Sequence, residues 1–319
     1  MKARTLALTF SAAAVLVACD QPTNTCQAQR GLFSVYLTPK AGSGSCLGGQ
    51  KVEFVNLQNY NPTAPGSSPP KRDVTVPPDL AIGTSTVGGL ARFVEGNGIG
   101  DEDPNDKVYS IGKFTSVDPS SEQCSVPTLS PAHYVTGEIP PIVCGGTGGG
   151  GGGTAGGGGA GTGGDTGAGG DCTEDPGFPK LEYTVEWKNL QMVVRPDVPG
   201  TQFKAEVSYA IKTSVGGEVV DDCKDEYDAV GMYPGAVDCG EYDADGALCP
   251  EDGSGEGDCA GKDGVDIVAC SPDPDPKNGR PFGSGINPDF PIICQRDDLM
   301  GGSFCVLDPA AGYPAIKKK

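Results

Sequence analysis

Residues 145–170 read GGTGGGGGGTAGGGGAGTGGDTGAGG. A stretch with so few side chains cannot bury enough surface to offset the entropy of ordering it. It predicts a flexible coil with a typical end-to-end distance of about 25–30 Å. A phosphate-cradling glycine loop would need Gly-x-x-x-x-Gly-Lys-Ser/Thr running into a helix, and no lysine lies in or beside the tract. The chain is therefore expected to fold as two modules, residues 24–144 and 171–316, joined by a glycine-rich linker and followed by a basic tail at 317–319.

The cysteines divide in the same way. Of 13 in the chain, Cys19 stands apart near the amino end, and 12 remain. Cys26, Cys46, Cys124 and Cys144 precede the tract. Cys172, Cys223, Cys239, Cys249, Cys259, Cys270, Cys294 and Cys305 follow it. Both sets are even, as closed disulfide frameworks in two separate modules would be. Thiolate metal sites use close pairs such as Cys-x-x-Cys, and none occurs here. Spacing leaves the pairing open, because four cysteines allow three connectivities and eight allow 105.

Apolar alternation marks strands. In the first module LFSVYL (32–37), VEFVNL (52–57) and VYSIGKF (108–114) are strand-like, separated by loops such as NPTAPGSSPP (61–70). In the second, Leu181, Tyr183, Val185 and Trp187 alternate with Glu182, Thr184, Glu186 and Lys188. The apolar phase then slips by one residue to Leu190, Met192 and Val194, which predicts a bulge or tight turn near Lys188–Asn189. PDVPG reads as a turn into FKAEVSYAIK, with Phe203, Ala205, Val207, Tyr209 and Ile211 on one side, and the two strands should pair antiparallel. From about residue 221 onward the chain is rich in Asp, Gly, Pro and Cys and is expected to form irregular loops. No helical periodicity stands out. The fold class expected is all-β: two small disulfide-stabilised β-sandwich-like modules.

The amino end carries a different message. Lys2 and Arg4 precede an apolar run, Leu6–Val17, that is well short of the ~20 residues needed to span a bilayer. Its length and charged start fit a signal peptide over residues 1–18. The run ends Leu16-Val17-Ala18-Cys19, which resembles the lipobox of bacterial lipoproteins. The resemblance implies cleavage before Cys19 and acylation of its thiol, with residues 19–23 as a lipidated tether. More than one acyl chain anchors firmly to a bilayer. Asp20 resembles a signal for inner-membrane retention used in some bacteria. Several phrases elsewhere, among them YLTPKAGSGSC, YTVEWKNLQMVV and EYDAVGMYPGAVDC, resemble secreted lipoproteins of myxobacteria, a class that brings no catalytic residues or ligand with it.

Little in the chain points to catalysis. The formal net charge is −19, a surface that repels nucleic acid and anionic head groups. His133 is the only histidine, so a zinc hydrolase with two or three histidine ligands is excluded. No Gly-x-Ser-x-Gly elbow occurs, and His133 reads as a loop or strand-end residue. Paired carboxylates could still support glycoside hydrolysis, though acids are too abundant here to single out a pair. One stretch, EYDADGALCPED, resembles an EF-hand calcium loop. Glu241, Asp243 and Asp245 fall at the first, third and fifth positions, Gly246 at the sixth and Asp252 at the twelfth. Glu in place of Asp at the first position, Asp in place of Glu at the last, and Pro250 within the loop all depart from that pattern. Calcium binding, if the loop forms, should be of the weak extracellular kind.

Taken as a sequence, the chain is expected to be exported and anchored to the cell envelope through acylated Cys19. There it would serve as a binding or structural module for an envelope protein or glycan, without enzymatic activity. The alternatives are a secreted hydrolase using paired carboxylates and an inert accessory subunit of an envelope assembly.

Overall fold

The computed structural model of the chain describes residues 25–44, 46–96, 107–139, 177–241, 249, 266–274, 276–278, 282–297 and 300–315. Four strands and a helix come from the first half: β1 (Gly31–Pro39), β2 (Val52–Tyr60), β3 (Asp79–Thr84), α1 (Ser85–Gly96) and β4 (Ser110–Lys113). Two short strands follow, β5 (Gln123–Thr128) and β6 (Ala132–Val135). Beyond the glycine tract come three long ones, β7 (Lys180–Arg195), β8 (Val198–Val215) and β9 (Glu218–Met232). A separate hairpin, β10 (Ile292–Asp297) and β11 (Gly302–Leu307), completes the described strands.

The first nine strands form one antiparallel sheet in the order β4-β3-β2-β1-β9-β8-β7-β5, with β6 also on β7. The two ends of that order meet. Gly112 of β4 bridges Leu129 just past β5, Ser130 N donates to Ile111 O at 2.7 Å, and Thr115 N donates to Ser125 O at 2.9 Å. Lys107 and His133 exchange both backbone hydrogen bonds. The sheet therefore closes into an up-and-down barrel of eight positions, β5 and β6 sharing one, in which each strand neighbours the next in sequence. Closure removes the unpaired edges that an open sheet would expose.

The all-β class and the disulfide bracing are as the sequence indicated, but the layout is not two sandwiches. Strand β1 of the first half pairs with β9 of the second, Ser34 opposite Met232 through Pro39 opposite Tyr227. Strands β5 and β6 pair with β7. The first half alone would leave β1 and β5 with unsatisfied backbone edges, and the second half supplies their partners. The disulfides follow suit. Cys26–Cys124 lies within the first half and Cys239–Cys294 and Cys270–Cys305 within the second, but Cys46–Cys223 joins the two. Even numbers on either side of a boundary are also compatible with an even number of crossings, so parity did not separate the two arrangements. Cys249 is disulfide-bonded as well; Cys144, Cys172 and Cys259 lie outside the described residues, as does the tract itself.

Alternation sets the barrel lining. On β7, Tyr183, Val185 and Trp187 are buried, and after a register shift between Lys188 and Gln191 the buried set becomes Leu190, Met192 and Val194. Asn189 sits at the shift with φ 52°, so the slip of phase in the sequence is a β-bulge. Facing residues Phe203, Ala205, Val207 and Tyr209 of β8 continue the lining. Strands β3, β5, β6, β9, β10 and β11 and helix α1 were not anticipated, and two of them show why. The acidic run after 218 is the 15-residue strand β9, whose inward positions Asp225, Tyr227, Ala229 and Gly231 alternate with outward Lys224, Glu226 and Asp228. Helix α1, STVGGLARFVEG, buries Val87 and Val94; Gly88 and Gly89 dilute its periodicity and weaken it by about 1 kcal/mol each relative to alanine.

The two ends of the barrel are closed differently. At one, residues 25–29 cross the mouth: Cys26 is bonded to Cys124, and Asn59 holds Ala28 by both its N–H (2.9 Å) and its carbonyl (2.6 Å). Gly200 passes under this segment, where a Cβ would lie 2.3 Å from Gln27 O. At the other end α1 packs Val87 and Val94, with Leu90 and Ala91, onto the lining. Outside the barrel, the β10–β11 hairpin covers β1 and β2 through Phe304 and Val306, with Phe54 and Phe304 edge to face at 4.9 Å. Asp297 fastens it by accepting from Lys51 N and Val52 N at 2.8 and 2.9 Å.

Candidate functional site

The outward faces of β5, β7, β8 and β9 form a groove of about 600 Å³, within the size range of small-ligand sites. Its polar floor comes from Ser125, Asn189, Gln191, Lys204, Glu206 and Asp228. Strand register sets Glu206 and Asp228 of this floor in a row with Lys188 just beyond it, Lys188 opposite Glu206 and Glu206 opposite Asp228. Two carboxylates side by side repel unless a cation intervenes, and Lys40, arriving from the end of β1, supplies it. Its Nζ lies 2.6 Å from Glu206 Oε2 and 3.6 Å from Asp228 Oδ1.

The bulge explains the rest of the floor. By inserting one residue it turns the Asn189 side chain along the sheet, where Nδ2 donates to Glu206 Oε1 at 2.8 Å. Lys40 and then Asn189, both bonded to Glu206, hold its carboxyl below the usual glutamate value. The same contact with Glu206 raises Lys40. At one side Lys204 Nζ sits 5.2 Å from the centre of the Tyr313 ring. Tyr313 is fixed by donating its hydroxyl to Gln191 O at 2.7 Å, and burial drives its pKa well above the tyrosine norm. The groove thus offers donors and acceptors on a rigid sheet, with Glu206 held as an ionised acceptor.

The residues singled out in the sequence lie elsewhere. Cys19, Asp243, Asp245 and Asp252 fall outside the described residues. Glu241 is described, and its carbonyl accepts from Cys249 N at 2.8 Å. His133 is a rung of β6, with Nε2 3.5 Å from Glu182 Oε1. The sulfurs of Cys239, Cys270 and Cys305 lie within 4.8 Å of one another, yet all three are spent in disulfides and are not thiolate ligands. Among the described residues no helix is long and apolar enough to cross a membrane. The groove residues themselves carried no sequence signal apart from the phase slip at Lys188–Asn189, which marks where it lies.

No curated protein and no solved structure matches the chain. The MlpA family model matches residues 31–234. That span opens on the first residue of β1 and ends two residues after β9, so it takes in every strand of the barrel, α1 and the groove floor, and leaves out the β10–β11 hairpin. Covering well over half of the chain, the match shows that this protein belongs to the MlpA family.

Proposed function

We propose that this protein is an exported envelope lipoprotein, anchored through acylated Cys19, whose barrel binds a glycan in the outer groove. The observation that carries the binding role is the floor of the groove: carboxylate, amide, hydroxyl and ammonium groups fixed on neighbouring strands. Adjacent sugar hydroxyls are each donor and acceptor, and a carboxylate beside an amide or ammonium answers both. Buried cross-links such as Cys26–Cys124 favour an oxidising compartment, in keeping with export. A general acid needs a carboxyl raised toward the working pH; Glu206 is shifted the other way, which favours binding over hydrolysis.

Two measurements test this. Cells grown with labelled palmitate should label the protein, and Cys19→Ser should lose both the label and membrane association. The purified protein should bind fragments of the cell's own surface polysaccharide in a saturable way, and Asn189→Ala with Glu206→Gln should weaken that binding about tenfold or more, the loss of one or two hydrogen bonds to a charged group. Labelling that persists in Cys19→Ser, or binding indifferent to the groove variant, would overturn the corresponding half.

A further inference from the structure

The barrel interior is not uniformly apolar. Toward the end closed by residues 25–29 it is tightly filled: Phe203 occupies the space beside Gly231, and Val126 and Leu129 the space beside Gly112. Toward the α1 end, polar groups collect. Glu53, fully buried, points inward from β2 opposite Val35. Its carboxylate caps α1, accepting from Ser85 N at 3.0 Å, Ser85 Oγ at 2.5 Å, Thr86 N at 3.3 Å and Thr86 Oγ1.

Other buried groups of the interior have no partner. The Tyr183 and Tyr209 hydroxyls, Trp187 Nε1 and Ser110 Oγ are buried and make no hydrogen bond. Tyr183 and Tyr209 meet edge to face at 6.4 Å, and Tyr209 meets Tyr227 the same way at 5.8 Å. Burial keeps both unpaired phenols protonated far beyond neutral pH. Each is therefore a donor, as the indole N–H must be. Native interiors leave few such groups unsatisfied. Tyr183 and Tyr209, close enough to Glu53 to feel its charge, and Ser110 at the start of β4 lie toward the α1 end. Trp187, edge to face with Phe203 at 6.3 Å, lies deeper in the barrel.

The α1 end is also the one whose cover, α1, carries no disulfide. The far mouth is stapled by Cys26–Cys124, whereas α1 is held by its Glu53 cap, its apolar contacts and the Phe93–Phe178 ring contact at 5.5 Å. It carries two internal glycines whose Cβ positions are open. Barrels of eight strands have interiors that side chains just fill or that hold one small ligand.

We propose that the barrel interior beneath α1 is a second binding site, for a small, neutral, largely apolar molecule bearing hydrogen-bond acceptors, admitted when α1 swings aside. The aromatic walls take the apolar body. Trp187 Nε1 and the two phenols donate to carbonyl or ether oxygens. Glu53 disfavours an anion. The site is independent of the outer groove and of the glycan reading.

Trp187, the only tryptophan, reports on it. Prodan, a neutral naphthalene with a carbonyl acceptor, is titrated into the full chain while Trp187 is excited. The expected result is saturable quenching with sensitised prodan emission at one probe per chain. Tyr209→Phe and Tyr183→Phe should each weaken binding by about tenfold, one hydrogen bond's worth. These variants separate the interior from the outer groove, since neither phenol reaches the groove. Gly88→Ala with Gly89→Ala, which stiffens α1, should slow probe entry several-fold. Absence of energy transfer up to the solubility limit of prodan, or transfer of equal affinity in both phenylalanine variants, would overturn the proposal.

Discussion

At the scale of residues, the barrel holds groups whose energetics run against one another. The hydroxyls of Tyr183 and Tyr209 are buried without partners, and an unsatisfied buried group costs about 1–3 kcal/mol. In the absence of ligand, Tyr209→Phe should therefore raise the melting temperature or leave it unchanged, whereas an ordinary buried tyrosine loses stability on the same change. Thermal unfolding by circular dichroism reads the difference. Glu53 makes a prediction in pH. Burial raises its carboxyl above the usual 4.5, and the Ser85 and Thr86 donors pull it partly back. A carboxyl with a raised folded-state pKa binds its proton more tightly in the folded chain. Its contribution to stability is fully present below 4.5 and is lost as pH rises through the folded value. Its inward-facing titratable neighbours, Tyr183 and Tyr209, stay neutral over that range. Glu53→Gln carries a constant cost for the lost acceptor, but its melting temperature relative to wild type should improve as pH climbs above 4.5. A difference that is flat in pH, or of opposite slope, would count against a buried, raised carboxyl.

At the scale of elements, the glycines separate a loose helix from a tight sheet. Gly88→Ala and Gly89→Ala meet open space and should stabilise α1 by about 1 kcal/mol each, visible as slower amide exchange over Ser85–Gly96. Gly231→Ala would place a Cβ 2.3 Å from the Phe203 ring and should cost about 1–3 kcal/mol as an overpacked core. Legibility followed the same line. Strands β1, β2, β7 and β8 could be read because one face is apolar and the other polar, and the bulge at Asn189 showed as a slip of that phase. Strand β9 could not, because Asp225 lies on its inward face and acids fill its outward one, so local composition masked the alternation. Helix α1 was hidden by its glycines. The groove was legible only as a bulge: Lys40, Glu206 and Asp228 are up to 188 residues apart in sequence, and only the pairing of β1 with β9 brings them together.

At the scale of the whole molecule, the two halves of the chain complete one barrel. Strands β1 and β5 find their partners across the glycine tract, and Cys46–Cys223 fixes the join over a sequence separation of 177. Replacing both cysteines by serine should cost about 2–5 kcal/mol, read as a lower denaturant midpoint, while the strand pairing survives. The most direct test of the single barrel removes every covalent link across the tract, including any bond from Cys144, which has no partner cysteine left in the first module. A protease site is inserted at Gly158 in the Cys46→Ser, Cys144→Ser, Cys223→Ser background, the protein is cleaved, and the products are run by native size exclusion. One peak containing both fragments at equal stoichiometry is the predicted result. Two folded fragments eluting separately would contradict it.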